Sequence, residues 1–353
     1  MAVTIKQIAE LAGISRGTVD KVLNDRPGVK TETKDRVLSI AKALNYEPNH
    51  LGKALVMSKE RTRIGVILTP EYNPFVREII RGIDEAREEF KSFGIEIAIR
   101  MLSTLEPAEQ IGLLNHFENE GFAGVAIFPL NDGQIIEKIN TMSASGTAVI
   151  TFNSRIREIN DICFIGQDHY RGGRTAAGLM RKLLPAGGDV GIIISSKTLS
   201  CHQDRLRGFQ DRAEEFYPEM HIVEVRENQD RTETAFEIVL EYAKAYPDLK
   251  GIYITGGGSE GLGRAIDLIG RNRDLKVICH DVIPATVRLL KNGTVDFTLG
   301  QNPAYQGYLL IKTMFDYLIR QKSPPERIID IPIDVITEDM VETIDGNDSP
   351  ELR

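Results

Sequence analysis

Apolar positions recur at helical spacing in the first part of the chain and gather into short runs in the rest. Thr4-Ile-Lys-Gln7 fits a capping box in which Thr4 caps and Gln7 reaches back, and Ile5, Ile8, Ala9 and Ala12 then repeat as one helical face. A short break at Ala12-Gly13-Ile14 precedes Ser15, a second cap, after which Val19, Val22 and Leu23 form an inward stripe. The opposite face carries Arg16, Gly17, Asp20, Lys21 and Asn24. A third helix, starting near the cap Thr31 and running through Val37, Leu38, Ile40, Ala41 and Leu44, closes a three-helix core. Taken alone, any helix pair in it is also compatible with a plain αα-hairpin.

From Arg63 onward β-rich runs alternate with helical patterns: Ile64 to Leu68, Ile95 to Leu102, Val125 to Leu130, Val149 to Asn153, Phe164 to Asp168, Val190 to Ser195, Ile222 to Val225, Ile252 to Thr255, Val277 to Asp281 and Phe297 to Gly300. Such alternation predicts parallel strands joined by right-handed crossovers. Roughly ten strands over this length suit two doubly wound lobes better than one wide sheet. The expected fold is therefore α/β, a helix-turn-helix head followed by a two-lobed, doubly wound parallel-sheet domain. The chain is expected to pass between lobes near Asn160, Lys291 and Gln321. The N-terminal lobe then takes about 62–160 and 295–321, and the C-terminal lobe about 161–290 and 322–353.

Composition sharpens this. The 353 residues carry a net charge of -8, unpromising for nucleic acid if spread evenly. It is not spread evenly: Met1 to Arg61 holds 11 Lys and Arg against 7 Asp and Glu, leaving a basic head of +4 on a body of -12. No apolar run approaches the ~18 residues needed to cross a bilayer, and Met1 to Leu11 lacks the pattern of a secretory signal, so a cytoplasmic location without membrane attachment is expected. Cys163, Cys201 and Cys279 are far apart with no metal or disulfide spacing and read as reduced core residues. The 6 histidines show no triad or metal spacing, so neither an enzyme nor a cofactor or metal is expected.

In open α/β sheets ligands gather at the carboxyl ends of strands. Those ends are polar here: Pro70 to Phe75, Asn153, Gln167-Asp168, His202 to Arg205, Asp281 and Gln301. Amides, carboxylates and an arginine converging on a crevice, with an aromatic alongside, are what a polyhydroxylated ligand needs. Each also has a plainer reading: Asn73 as the cap of a helix after Pro74, Phe75 as core, Arg205 as a surface pair. The run Gly256-x-Gly258-x-x-Gly261, after a strand and before a helix with Asp281 beyond, imitates a dinucleotide fingerprint. Its acid lies too far along, and no hydride-transfer pair is near.

After the third helix come Leu44-Asn-Tyr-Glu-Pro-Asn49, a short amphipathic stretch from His50 to Met57, and a charged linker. With Val3-Thr-Ile-Lys-Gln-Ile-Ala-Glu-Leu-Ala-Gly-Ile-Ser15, Thr18-Val19 and Val22-Leu23-Asn24, this segment resembles the head of the lactose-repressor (LacI) family. The resemblance implies a DNA-reading head over 1–48, a hinge helix and linker over 49–61, and an effector-binding, dimerising body over 62–353 that resembles periplasmic ribose-type binding proteins. It further implies DNA contacts from Thr4, Ser15, Arg16, Gly17, Thr18, Asp20, Lys21, Asn24, Asn49 and His50, with Leu55 wedged into the minor groove. Leu55 simply packing against the body is the alternative. Together with the polar strand ends and the glycine run, the resemblance places the expected effector contacts at Asn73, Phe75, Asn153, Gln167, Asp168, His202, Arg205, Gly257, Asp281 and Gln301.

Two positions depart from the family. Asp20 stands where a small residue is usual, so the operator sequence does not carry over. Thr255-Gly-Gly-Gly-Ser-Glu-Gly261 replaces an Asn-Asp pair and leaves bare N–H groups at a helix start, suited to an anionic or bulkier ligand. The implied partners are near-palindromic operator DNA, a sugar or sugar derivative, and a second copy of the chain in a homodimer or tetramer. A free-standing solute-binding protein is the alternative from another class, and a dehydrogenase a distant one.

Overall fold

The structure is a computed structural model that describes residues 5–23, 28–44 and 62–341. The chain divides into two compact units, Met1–Glu60 and Arg61–Arg353.

In the head, α1 (Ile5–Ala12), α2 (Arg16–Leu23) and α3 (Thr31–Ala43) surround a core of Ile8, Ala9, Ala12, Val19, Val22, Val37 and Ala41. The first helix stops because Gly13 turns left-handed at φ 63, where a side chain would be strained, and Ile14 N–H bonds back to the Ala9 carbonyl. Ser15 caps α2 as its sequence predicts: its Oγ accepts from Thr18 N–H at 3.1 Å. The start of α3 differs from expectation. Its cap position is Lys30, without a side-chain cap bond, and Leu38 on its expected inner face is 42% exposed.

The body opens with β1 (Thr62–Leu68), α4 (Pro74–Phe90), β2 (Ile95–Met101), α5 (Pro107–Asn119), β3 (Gly124–Ile127), α6 (Gly133–Ala144), β4 (Ala148–Phe152) and β5 (Cys163–Gly166). It continues with α7 (His169–Leu183), β6 (Gly188–Ile194), α8 (Ser200–Phe216), β7 (Met220–Glu227), α9 (Thr232–Ala245), β8 (Leu249–Ile254), α10 (Ser259–Leu268) and β9 (Lys276–His280). The last elements are α11 (Pro284–Lys291), β10 (Phe297–Gly300), α12 (Pro303–Leu318), β11 (Ile328–Asp330) and β12 (Asp334–Ile336).

Two six-stranded sheets result, in the orders β11-β5-β4-β3-β1-β2 and β12-β10-β9-β8-β6-β7. All neighbours pair in parallel except β10 with β12. Central strands are apolar along their length because helices cover both faces; β3, β4 and β5 are buried throughout.

The crossings between lobes lie later than the expected positions near Asn160, Lys291 and Gln321. β5 pairs with β4, so the chain leaves the first sheet only at Gln167; β10 pairs with β9, so it returns only after Gly300; and the last passage is at Ile331–Pro332. Each strand runs to its carboxyl end before the chain crosses. β11 and β12, absent from the predicted set, are edge strands of three residues, too short for any periodicity. Among the described residues no helix is long and apolar enough to cross a membrane. Cys163, Cys201 and Cys279 are buried and unpaired.

Helices in the body pack backbone to backbone where glycines meet. A Cβ built on Gly82 of α4 would lie 1.7 Å from the Ala304 carbonyl oxygen of α12, one on Gly173 of α7 2.0 Å from the Arg205 carbonyl oxygen of α8, and one on Gly261 of α10 1.8 Å from that of Thr232 in α9. Gly112 in α5 has nothing within 4 Å. Gly82→Ala should therefore lower the body's stability by about 1–3 kcal/mol through overpacking. Gly112→Ala, gaining helix propensity without a clash, should raise it by about 0.5–1 kcal/mol. Urea unfolding midpoints read both; equal shifts in the same direction would refute the packing account.

Candidate functional site: a polar seam between two lobes and the face of a recognition helix

On the head, α2 presents Ser15, Arg16, Gly17 and Lys21 to solvent, with Thr18 and Asp20 half-buried, while Val19 and Val22 anchor its other face. Ser15 and Thr18 hydroxyls lie 2.9 Å apart, which fixes the first turn. Arg16 thus stands at the amino end of a rigidly capped helix, where the N-terminal residues of a helix lying in a groove meet base edges. Thr4, Asn24, Asn49, His50 and Leu55 lie outside the described residues.

In the body the carboxyl ends of both sheets face one seam. Arg205, on α8, is 2% exposed and donates to the Thr255 carbonyl at 2.7 Å and to Gln301 Oε1 at 3.1 Å. Gln301 also donates from Nε2 to Asp281 Oδ1 at 2.7 Å, and its Oε1 accepts from Asn153 Nδ2 at 3.4 Å. Four sequence-predicted residues, Asn153, Arg205, Asp281 and Gln301, are thereby one hydrogen-bonded group spanning β4, α8, β9 and β10. Asn153 and Asp281 reach it from left-handed backbone, φ 56 and 69.

His202 packs beside this group, its Nδ1 3.0 Å from Thr255 Oγ1. Burial pushes its pKa down to about 4 against the pull of Asp230, and Arg205 adds to the depression. Burial, then Arg205, also holds His169 and His280 well below the usual imidazole range. All three are neutral at pH 7, so Arg205 supplies the cationic charge of this group. Burial raises the Asp281 carboxyl above its ordinary range, opposed by Arg205 and Gln301.

Other predicted residues do different work. Asn73 caps α4 through Phe75 N–H at 3.0 Å, and its Nδ2 reaches across the seam to Asp230 Oδ2 at 2.9 Å. Phe75 is 4% exposed, within the first lobe's core. Gln167 does not face the crevice. Its Nε2 donates to the Gly300 carbonyl at 2.7 Å and the Pro332 carbonyl at 2.6 Å, so one amide ties together all three crossings. Asp168 is an exposed helix cap, bonded to Arg171 N–H at 2.9 Å.

Gly257 offers no bare N–H to an anion. That group donates to Asp230 Oδ1 at 2.7 Å, and the Gly257 carbonyl accepts from Asn228 Nδ2 at 2.7 Å. The glycine run is thus a packing surface, with Gly261 against α9 and Gly256 under His202 and Asp230, and a carboxylate stands where a pyrophosphate would approach. Sequence reasoning missed Asn228, Asp230 and Thr255; the only trace of the first two is an Asn and an Asp just after a strand.

Further contacts hold the lobes together. Ser154 and Ser200 hydroxyls lie 2.7 Å apart, Asn131 N–H donates to the Thr198 carbonyl at 3.0 Å, and Leu199 and Cys201 are built into the first lobe's core. Within the seam Arg205 Nε, His169 Nδ1 and His280 Nδ1 are buried without a hydrogen-bond partner among the described residues. Among those residues no cluster of three or more His, Cys, Asp or Glu could hold a metal ion.

Comparison with known proteins agrees with both halves. Residues 64–322 match the family model of the periplasmic binding protein domain, and residues 4–49 that of bacterial regulatory proteins of the lacI family. The D-ribose/D-allose-binding protein of Pseudomonas aeruginosa is 24% identical over 289 residues, 79% of this chain and 89% of that protein. Catabolite control protein A of Staphylococcus xylosus is 30% identical over 142 residues, 40% of this chain and 41% of that one. Among solved structures, the glucose-galactose binding protein GanP of Geobacillus stearothermophilus superimposes with a TM-score of 0.71 at 23% identity, covering 78% of this chain and 98% of that chain. A solute-binding protein of Burkholderia graminis in complex with D-arabinose gives 0.74 at 21% identity, covering 79% and 96%. The chain belongs to the periplasmic binding protein domain family through its body and, carrying the head of the lacI family of bacterial regulatory proteins, is a LacI-type DNA-binding regulator.

Proposed function

We propose that the chain acts in the cytoplasm as a homodimer on a near-palindromic operator, and that a sugar or close derivative bound at the seam controls its affinity for that operator. The observation that carries this reading is the buried group Asn153, Arg205, Asp281 and Gln301, contributed by both lobes and lined by polar atoms without partners. Buried polar groups normally find partners, and a ring of hydroxyls supplies donors and acceptors together. Relatives named for ribose, allose, glucose, galactose and arabinose support a sugar.

A ligand contacting both lobes favours their closed arrangement by its differential affinity. The segment 49–61 joins the body to the head and carries that change to DNA, with Leu55 as the minor-groove wedge. A single head contacts too few bases to be selective, so two heads on two half-sites are required.

Arg16→Ala should weaken binding to a duplex selected from a random pool by roughly tenfold to a hundredfold, the worth of one good base contact, while sparing effector binding. Fluorescence anisotropy against selected and random duplexes reads this, and an unchanged ratio of the two would remove Arg16 from the base-reading set. Asp281→Asn keeps a side chain that tolerates left-handed backbone, whereas alanine there adds strain. It should abolish the melting shift that saturating sugar gives, ~2.7 kcal/mol at a hundred times the dissociation constant, in a ligand-free protein that stays folded but melts lower because the buried Arg205–Gln301 pair has lost its carboxylate. A full shift in that variant would place the effector elsewhere.

A further inference from the structure

We propose that Asp230 is the specificity-determining residue of the seam, and that its carboxylate restricts the effector to uncharged polyhydroxy compounds by refusing sugar acids and sugar phosphates. This rests on the sugar-effector reading above and assigns a role that the strand-end pattern does not reveal.

Asp230 is held in place from several sides. Gln229 and Asp230 are consecutive left-handed residues, φ 53 and 56, and two non-glycine residues in that region are kept only where surrounding structure enforces them. Asn228, fully buried, does the enforcing: its Oδ1 accepts from Asp230 N–H at 3.2 Å while its Nδ2 donates to the Gly257 carbonyl at 2.7 Å. The carboxylate so aimed accepts from Gly257 N–H on one lobe at 2.7 Å and from Asn73 Nδ2 on the other at 2.9 Å. The glycine run is shaped to receive it. A Cβ on Gly256 would lie 2.7 Å from Asp230 Oδ1, and one on Gly257 3.0 Å from Asp230 Cβ.

The chemical consequence follows from charge. The start of α10 is where an anionic ligand would find N–H groups and a favourable helix dipole. Asp230 occupies that place with the protein's own anion. With His169, His202 and His280 neutral, the acidic and basic side chains of the group are Asp230, Asp281 and the Arg205 guanidinium, with the Arg231 guanidinium lying over the Tyr72 ring next along the chain from Asp230. Asp230 is close enough to act electrostatically on both His202 and Asp281. A ligand carboxylate or phosphate placed at the start of α10 would stand beside the half-buried Asp230 carboxylate, and like charges at that distance repel. A hydroxyl, by contrast, donates to either carboxylate.

The test uses the purified full chain and matched pairs: D-galactose with D-galacturonate, D-glucose with D-glucuronate, and D-ribose with D-ribose 5-phosphate. Melting shifts find a neutral member that binds, and calorimetry compares it with its acid. Wild type should bind the acid at least a hundredfold more weakly. Asp230→Asn should close that gap to tenfold or less by gaining affinity for the acid. Glu233→Gln, which removes one negative charge from an exposed pair with Arg264, should leave the gap as it is. An acid bound by wild type as tightly as its neutral partner, or a gap unchanged in Asp230→Asn, overturns the proposal and leaves the sugar reading intact. Parallel loss of both members of a pair in Asp230→Asn and Asp230→Ser marks a merely structural residue and overturns it too. No binding of any member by wild type or Asp230→Asn removes the sugar reading, and the proposal with it.

Discussion

A guanidinium is buried between two lobes, and much of the body is arranged to satisfy it. Arg205 is 2% exposed, so its charge must be met by acceptors rather than by water. Those acceptors come from the ends of two strands: the Thr255 carbonyl after β8 and Gln301 after β10. Gln301 passes the demand to Asp281 after β9, so a buried carboxylate balances the buried cation through a shared amide. The depth of the arginine is set by helix packing. Gly173 lies so close to the Arg205 carbonyl oxygen that a methyl group there would displace the turn of α8 that carries it.

The same sparing use of polar groups governs how the lobes are joined. Gln167 holds the carbonyls of Gly300 and Pro332, so the three crossing strands are tied by one side chain close to where a hinge must bend. Elsewhere the contacts between lobes are hydrogen bonds such as Asn73 to Asp230 and Ser154 to Ser200, together with the apolar anchors Leu199 and Cys201. A neutral hydrogen bond contributes roughly 1 kcal/mol net and one to a charged group about 1.5–3 kcal/mol, so a handful of them leaves closure within reach of a ligand's differential affinity.

Much of this was legible in the chain. The head was readable because its helices obey simple rules: apolar residues at three and four, a glycine at the break, a serine cap at Ser15. Central strands such as β3, β4 and β5 are legible because burial on both faces makes them apolar throughout. The crossings were misplaced because a strand's composition says nothing about which sheet it pairs with; β5 and β10 have the same apolar character in either lobe. The strand-end rule picks out Asn153, Arg205, Asp281 and Gln301, which the structure joins in one hydrogen-bonded group, and with them Gln167 and Asp168, because a staple, a cap and a member of that group share one chemistry and differ only in direction. Asp230 escaped because it lies two residues beyond a buried asparagine in a turn with no repeating pattern.

Direction is what the backbone supplies. Six described non-glycine residues have positive φ, and five of them, Asn153, Gln229, Asp230, Asp281 and Asn302, follow the ends of β4, β7, β9 and β10. Asn and Asp tolerate this region better than other residues, and four of the five are Asn or Asp. A glycine at Asn153, Asp230 or Asp281 would relax the turn and lose the side chain that the turn aims at the seam. Local conformational cost is therefore concentrated at strand ends on the seam, where side chains from two sheets must converge on one small volume. The strands and helices behind them are free of this cost and can be packed for stability alone.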